Sequence, residues 1–195
     1  MKFRRICVFC GSNSGTNSAY REAAVVLGEL LVERGIEMVY GAGNIGLMGV
    51  IADAVLARGG KVIGVIPQSL MEKEVGHPGL TELRIVKSMH ERKALMSDLS
   101  DAFIALPGGF GTFEEFCEVL TWSQLGIQSK PCGLLNVGGY YDPLLELFNH
   151  AVREGFLQEE NRRLVLEDRD AAQLLAKMAA FVPTAANKWI TGDER

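Results

Sequence analysis

The run Pro107-Gly108-Gly109-Phe110-Gly111-Thr112-Phe113-Glu114-Glu115 joins residues that could hold an anion to one that could act on what the anion carries. The adjacent Gly108 and Gly109 let backbone N–H groups approach a ligand closely, and Gly111 precedes a helical pattern whose N-terminus favours negative charge. Thr112 offers either an N-cap or a phosphate-binding hydroxyl. Glu115 follows Thr112 by three residues, and T-x-x-E is also a capping box, in which the carboxylate only satisfies a backbone donor. Spacing alone therefore leaves Glu115 either a cap or a reacting group.

A second glycine run, Gly41-Ala42-Gly43-Asn44-Ile45-Gly46, leads into Leu47 and Met48. It satisfies G-x-G-x-x-G between a strand and a helix, but a dinucleotide site also wants an acid about 20 residues on, at the end of the next strand. That strand ends Ile66-Pro67-Gln68 with no carboxylate, which weakens an NAD or FAD reading. Read as G-x-x-x-x-G, the run has Leu47 and Met48 where a P-loop needs Lys and Ser/Thr, which excludes a Walker loop. What survives is a set of backbone N–H groups for an anion, against the plainer alternative of a tight turn using glycines for positive φ.

The third constellation is Ser88-Met89-His90-Glu91-Arg92-Lys93, where Ser88 and Glu91 form another potential capping box. Arg92 and Lys93 fall in or beside the first turn, where cations oppose the helix dipole. Either they form a solvated basic pair or they face an anion, a ligand phosphate or a carboxylate such as Glu115. His90 reads as a polar neighbour. His77 and His150 have no partners at ligand spacing, and no Cys/His/Asp cluster suggests a metal.

These residues need a frame. Short apolar runs at Ile6–Cys10, Glu37–Tyr40, Lys61–Ile66, Leu83–Val86, Ala102–Leu106 and Gly133–Val137 predict strands buried on both faces. Helical stripes lie between them, as at Ala23, Ala24, Leu27, Leu30 and Leu31, at Phe113, Phe116, Cys117 and Leu120, and at Leu144, Leu145, Phe148 and Val152. The alternation predicts an α/β fold, a Rossmann-like, doubly wound parallel sheet in a single domain over residues 1–186, with a frayed tail at 187–195. Ligands of such sheets bind beyond the carboxyl ends of the strands, so Gly11 and Ser12 after the first strand join the two glycine runs as candidates. The polar stretch Gln68 to Thr81 predicts a loop over that site.

Composition narrows the partners. Twenty Lys and Arg against 24 Asp and Glu give a net charge of -4, without the basic field that nucleic-acid polymers require. No apolar run approaches the roughly 18 residues of a membrane span, and Ile6 to Cys10 is too short for a signal peptide. A cytoplasmic location is expected. Cys7 and Cys10 spell C-x-x-C inside a strand, where positions three apart point to opposite faces, so they read as core thiols.

Taken together, GAGNIGLMG, SMHERKALM and PGGFGTFEE, with TWSQLG following, closely resemble the LONELY GUY (LOG) family of cytokinin-activating phosphoribohydrolases. The resemblance runs from Cys10 to about Asn136, and P-G-G-x-G-T-x-x-E is matched in full. It implies a homodimer that releases free base and ribose 5-phosphate from a nucleoside 5′-monophosphate, without metal or redox cofactor. It places the family's essential arginine and glutamate on Arg92 and Glu115. Its phosphate and nucleotide loops fall on Gly41–Met48, including Gly43 and Gly46, and on Gly108, Gly109, Gly111 and Thr112. Met89, Lys93 and Pro107 complete the expected substrate contacts. Ala42 departs from the more usual glycine. Two rivals stand beside this reading: a non-catalytic nucleotide or molybdenum-cofactor carrier of the same fold, and the weakened dinucleotide oxidoreductase. Relatives also carry a lysine decarboxylase label, but a Schiff-base lysine needs a cofactor context, and the loops near the site offer only Lys93.

Overall fold

A computed structural model describes residues 3–71 and 76–183. Seven parallel strands, β1 (Arg5–Phe9), β2 (Glu37–Tyr40), β3 (Val62–Pro67), β4 (Glu82–Val86), β5 (Ala102–Ala105), β6 (Cys132–Leu135) and β7 (Val165–Asp168), form one sheet in the order β4-β3-β2-β1-β5-β6-β7. The connecting helices are α1 (Ser18–Glu33), α2 (Gly46–Ala57), the short α3 (Gln68–Met71), α4 (Met89–Leu99), α5 (Phe110–Gln124), α6 (Asp142–Arg153), α7 (Glu159–Arg162) and α8 (Ala171–Ala179). This is the expected Rossmann-like doubly wound sheet in one domain.

Strand alternation divides the core. Ile6 and Val8 pack with Leu27 and Leu31 of α1, Ile51 and Val55 of α2, and Leu174 and Met178 of α8. Cys7 and Phe9 face the other way, against Met96 of α4, Phe116 and Val119 of α5, and Leu145 of α6. Cys7 and Cys10 fall in different clusters and both are free, as the alternation requires. Fully buried side chains such as Leu27 and Leu31 would cost about 2–5 kcal/mol if truncated to alanine.

Two sequence expectations need correction here. The strand at Glu82–Val86 is not buried on both faces, because it is the sheet edge and leaves Leu83 and Ile85 39% and 54% exposed. The seventh strand, Val165–Asp168, was not anticipated, since half of its four residues are carboxylates and it lacks a continuous apolar run.

The chain builds outward from β1 to β4, then returns across the sheet to place β5 on the other side of β1. The reversal makes a topological switch point between the carboxyl ends of β1 and β5, where a crevice must open. Gly11 follows β1 there and Pro107 follows β5, and the Gly11 N–H donates to the Pro107 carbonyl at 3.0 Å. Of the expected Gln68–Thr81 loop, the first residues form α3. Farther on, Gly76 bridges Gly43, and the His77 N–H donates to the Ala42 carbonyl at 3.1 Å. Among the described residues no helix is long and apolar enough to cross a membrane. The tail at 187–195 lies outside the described residues.

Candidate active site

The first glycine run is shaped by what packs behind it. The buried Tyr40 hydroxyl donates to the Gly43 carbonyl at 3.2 Å. Gly46 takes φ 62°, and a β-carbon there would lie 2.2 Å from the Ser12 carbonyl carbon. Ala42 adopts φ 65° with its methyl fully buried. That conformation costs an L-residue about 1–2 kcal/mol. The helix that follows has no side-chain cap at Ile45, and its Leu47 N–H donates to the Gly11 carbonyl at 3.0 Å. Gly43 leaves room for the Met48 side chain, whose methyl would lie 2.3 Å from a β-carbon at that position.

The second run closes against the first strand's loop: a β-carbon at Gly108 would fall 2.8 Å from the Gly11 nitrogen and 2.1 Å from Thr112 Oγ1. Helix α5 starts earlier than the T-x-x-E spacing suggests. Its N-cap is Gly109, which supplies no side-chain hydrogen bond, and Thr112 is a buried residue inside the first turn. The Thr112–Glu115 capping box is therefore not formed. The Phe113 N–H donates to the Gly109 carbonyl at 3.1 Å, which leaves the N–H groups of Phe110, Gly111 and Thr112 at the uncapped end, where the helix dipole favours an anion. A side chain at Gly109 or Gly111 would meet open space.

Ser88 does cap α4, accepting from the Glu91 N–H at 3.1 Å, while the Glu91 carboxylate accepts from the Lys87 N–H, one residue beyond the cap, at 2.8 Å. The cap fixes the first turn and aims Arg92 inward. Its Nε donates to the Val65 carbonyl at 3.2 Å and its Nη2 to the Gly41 carbonyl at 3.4 Å, while Nη1 stands 3.7 Å from Glu115 Oε1. The Met89 sulfur lies 3.8 Å from Nη1. The Arg92 and Glu115 side chains are each only 12% exposed. Burial raises the Glu115 carboxyl above the usual carboxylate range, with Arg92 opposing the shift and Glu114 adding to it.

Lys93 points elsewhere. Its ammonium donates to Glu114 at 2.6 Å and Glu118 at 2.9 Å, so the carboxylates that answer it are not Glu115. Burial opposes its charge, but the hydrogen bonds and the charges of Glu114 and Glu118 together outweigh burial and raise Lys93 above its ordinary value. A Schiff-base lysine requires the reverse.

A cavity of about 270 Å³ opens at the switch point. It gathers six of the sequence candidates, Gly11, Ser12, Leu47, Pro107, Gly108 and Gly109, and adds Asn13–Gly15, Tyr20 and Tyr140. Arg92 and Glu115 are not in its wall; the Glu115 charge is felt at Cys10, the residue before Gly11. Burial first, and the Glu115 carboxylate second, push the Cys10 thiol up. Sequence motifs did not mark Tyr20 or Tyr140. The signal for Tyr140 lay in its position after the sixth strand, at a carboxyl end that carries no glycine fingerprint before Gly138.

Uncapped helix N-termini and glycine loops converging on the switch point of a parallel sheet define a Rossmann-like α/β protein whose crevice favours an anion. Residues 48–178 match the family described as possible lysine decarboxylase. The chain is 56% identical over 182 residues to the cytokinin riboside 5′-monophosphate phosphoribohydrolase LOG of Oryza sativa subsp. japonica, covering 93% of this chain and 75% of that one. It is 53% identical to the corresponding enzyme LOG2 of Arabidopsis thaliana, covering 93% and 85%. The chain belongs to the LOG family. A molybdenum cofactor binding protein from Rippkaea orientalis shares the fold, with a TM-score of 0.68 over 92% of this chain and 98% of that one, at 20% identity.

Proposed function

We propose that this protein hydrolyses the N-glycosidic bond of adenine-type nucleoside 5′-monophosphates, a cytokinin riboside monophosphate or AMP, to free base and ribose 5-phosphate. The observation that carries the reading is the buried Arg92–Glu115 pair beside the uncapped N-terminus of α5. In this reading the N–H groups of Phe110, Gly111 and Thr112, with the Thr112 hydroxyl, hold the 5′-phosphate, and the cavity walls formed by Gly11, Ser12 and Leu47 enclose the bound nucleotide.

Binding the phosphate sets ribose C1′ at the Glu115 carboxylate, converting binding energy into alignment. As the bond from C1′ to the base nitrogen lengthens, positive charge grows on the sugar and the carboxylate stabilises it. Water adds its oxygen to C1′, the departing bond's electron pair goes to the base nitrogen, and the water's protons are shared between the sugar hydroxyl and the base. Arg92 favours the ionised form of Glu115 against burial and fixes its direction. No metal or cofactor enters these steps. The chain works as a homodimer, and light scattering should return about twice the 21.3 kDa chain mass.

The decisive experiment incubates the protein with a panel of nucleoside 5′-monophosphates and their nucleosides and resolves free base by chromatography. Base release from the monophosphate with poor turnover of the nucleoside is expected. Comparable turnover of AMP and adenosine would remove the phosphate-anchoring argument, and unchanged nucleotide throughout would favour a carrier.

A further inference from the structure

We propose that Tyr140 is a positioning residue for the Gly108–Gly109 peptide, holding it in the orientation that accepts a phosphate. The inference rests on the site reading above for the identity of the anion. The Tyr140 hydroxyl donates to the Gly108 carbonyl. Because a trans peptide is planar, fixing that carbonyl directs the following N–H, that of Gly109, to the opposite side.

Two adjacent glycines have no β-carbon to resist rotation of the peptide between them. A flipped Gly108–Gly109 unit would turn a carbonyl oxygen, a partial negative charge, toward the anion in place of an N–H. Among the described residues no other hydrogen bond holds the Gly108 carbonyl: α5 begins too late to use it, and its first ladder bond runs from Phe113 to Gly109. The tyrosine hydroxyl supplies the restraint that the local backbone lacks.

The ring is itself well anchored. Tyr140 meets Tyr20 edge-on at 5.6 Å, stacks on Phe113 at 6.5 Å, and meets Tyr141 edge-on at 5.0 Å. Tyr141 is locked in turn, its N–H donating to Asn136 Oδ1 at 2.7 Å and its hydroxyl to the Leu106 carbonyl at 2.6 Å. The segment after β6 is thus built against the loop after β5, and Tyr140 is the point where it meets the glycine pair.

Tyr140→Phe keeps the ring and removes only the hydroxyl. Calorimetry with ribose 5-phosphate and with adenine, two probes that are not turned over, separates the phosphate loop from the rest of the site. We expect ribose 5-phosphate to bind about tenfold more weakly, the scale of one hydrogen bond's contribution. Adenine affinity and melting temperature should be unchanged, and any KM for AMP should rise by the same factor with kcat within about threefold. Equal affinity of wild type and variant for ribose 5-phosphate would overturn the proposal. So would parallel losses for both probes with a lowered melting temperature, since that marks a packing role. Tyr140→Leu, which removes ring and hydroxyl together, should weaken ribose 5-phosphate at least as much as Tyr140→Phe, and a smaller loss would also overturn it. Binding does not depend on turnover, so a wild-type protein that binds ribose 5-phosphate but releases no base contradicts the hydrolase reading alone.

Discussion

The guanidinium of Arg92 fills the space that a side chain at residue 41 would need: a β-carbon built on Gly41 falls 1.9 Å from Nη2. Gly41 is therefore required by a residue 51 positions away, not by its own backbone, whose φ is not positive. The atom in conflict is the far end of a flexible side chain, so Gly41→Ala should fold but displace Arg92. The expected result is a loss of about 10²-fold in kcat with stability within about 1 kcal/mol of wild type. Rates of base release beside a thermal melt check it; an unaffected rate would show that the position of Arg92 does not matter.

Arg92→Lys retains charge but cannot reach the Val65 carbonyl, the Gly41 carbonyl and Glu115 from one planar fork. Activity should drop by about 10²–10³ while circular dichroism stays unchanged. Wild-type kinetics in this variant would remove the guanidinium from the mechanism.

Lys93 and Glu118 give a pH test with opposite signs. Burial raises Glu115 most, Lys93 lowers it, and Glu118 raises it. If ionised Glu115 is needed, kcat/KM should fall as pH drops through a value above the ordinary carboxylate range. Lys93→Met should move that acid limb to higher pH, and Glu118→Gln should move it lower. Limbs that do not move in opposite directions would assign the ionisation to another group.

The legible parts were those that repeat a pattern. Six strands and the parallel alternation could be read because each run is apolar or alternates with an amphipathic helix, and the strand Glu37–Tyr40 was bounded as found. Strand Val165–Asp168 was invisible because it sits at the edge and ends in Glu167 and Asp168. Of the two roles open to Thr112, the N-cap fails because helix α5 begins at Phe110 and its cap is Gly109, which has no side chain to advertise it. Lys93 could not be assigned to Glu114 and Glu118 from spacing, since those partners lie on another helix, 21 and 25 residues on. Tyr140 reaches Gly108 across 32 residues through tertiary packing, which no local motif encodes.

Burial of Glu115 also has a stability consequence. A carboxyl whose folded pKa lies above its unfolded value opposes folding at high pH. The destabilisation is complete above the folded pKa and disappears as pH falls through it toward the unfolded value. Glu115→Gln removes it, and Arg92 keeps its two carbonyl partners. The variant should melt no lower than wild type at neutral pH, with any gap closing in acid; a markedly lower melting temperature at neutral pH would mean that the ion pair outweighs burial.

The same substitution tests the mechanism. Glu115 lies in the second turn of α5 and its carboxylate faces Arg92, so an amide preserves shape and removes only the charge. The measurement is the initial rate of base release from AMP by Glu115→Gln, beside calorimetric affinity for ribose 5-phosphate. A loss of about 10²–10⁴ in kcat is expected, with ribose 5-phosphate bound as in wild type. A rate within a few fold of wild type, in a protein that folds and binds normally, would contradict the role of Glu115 at the sugar.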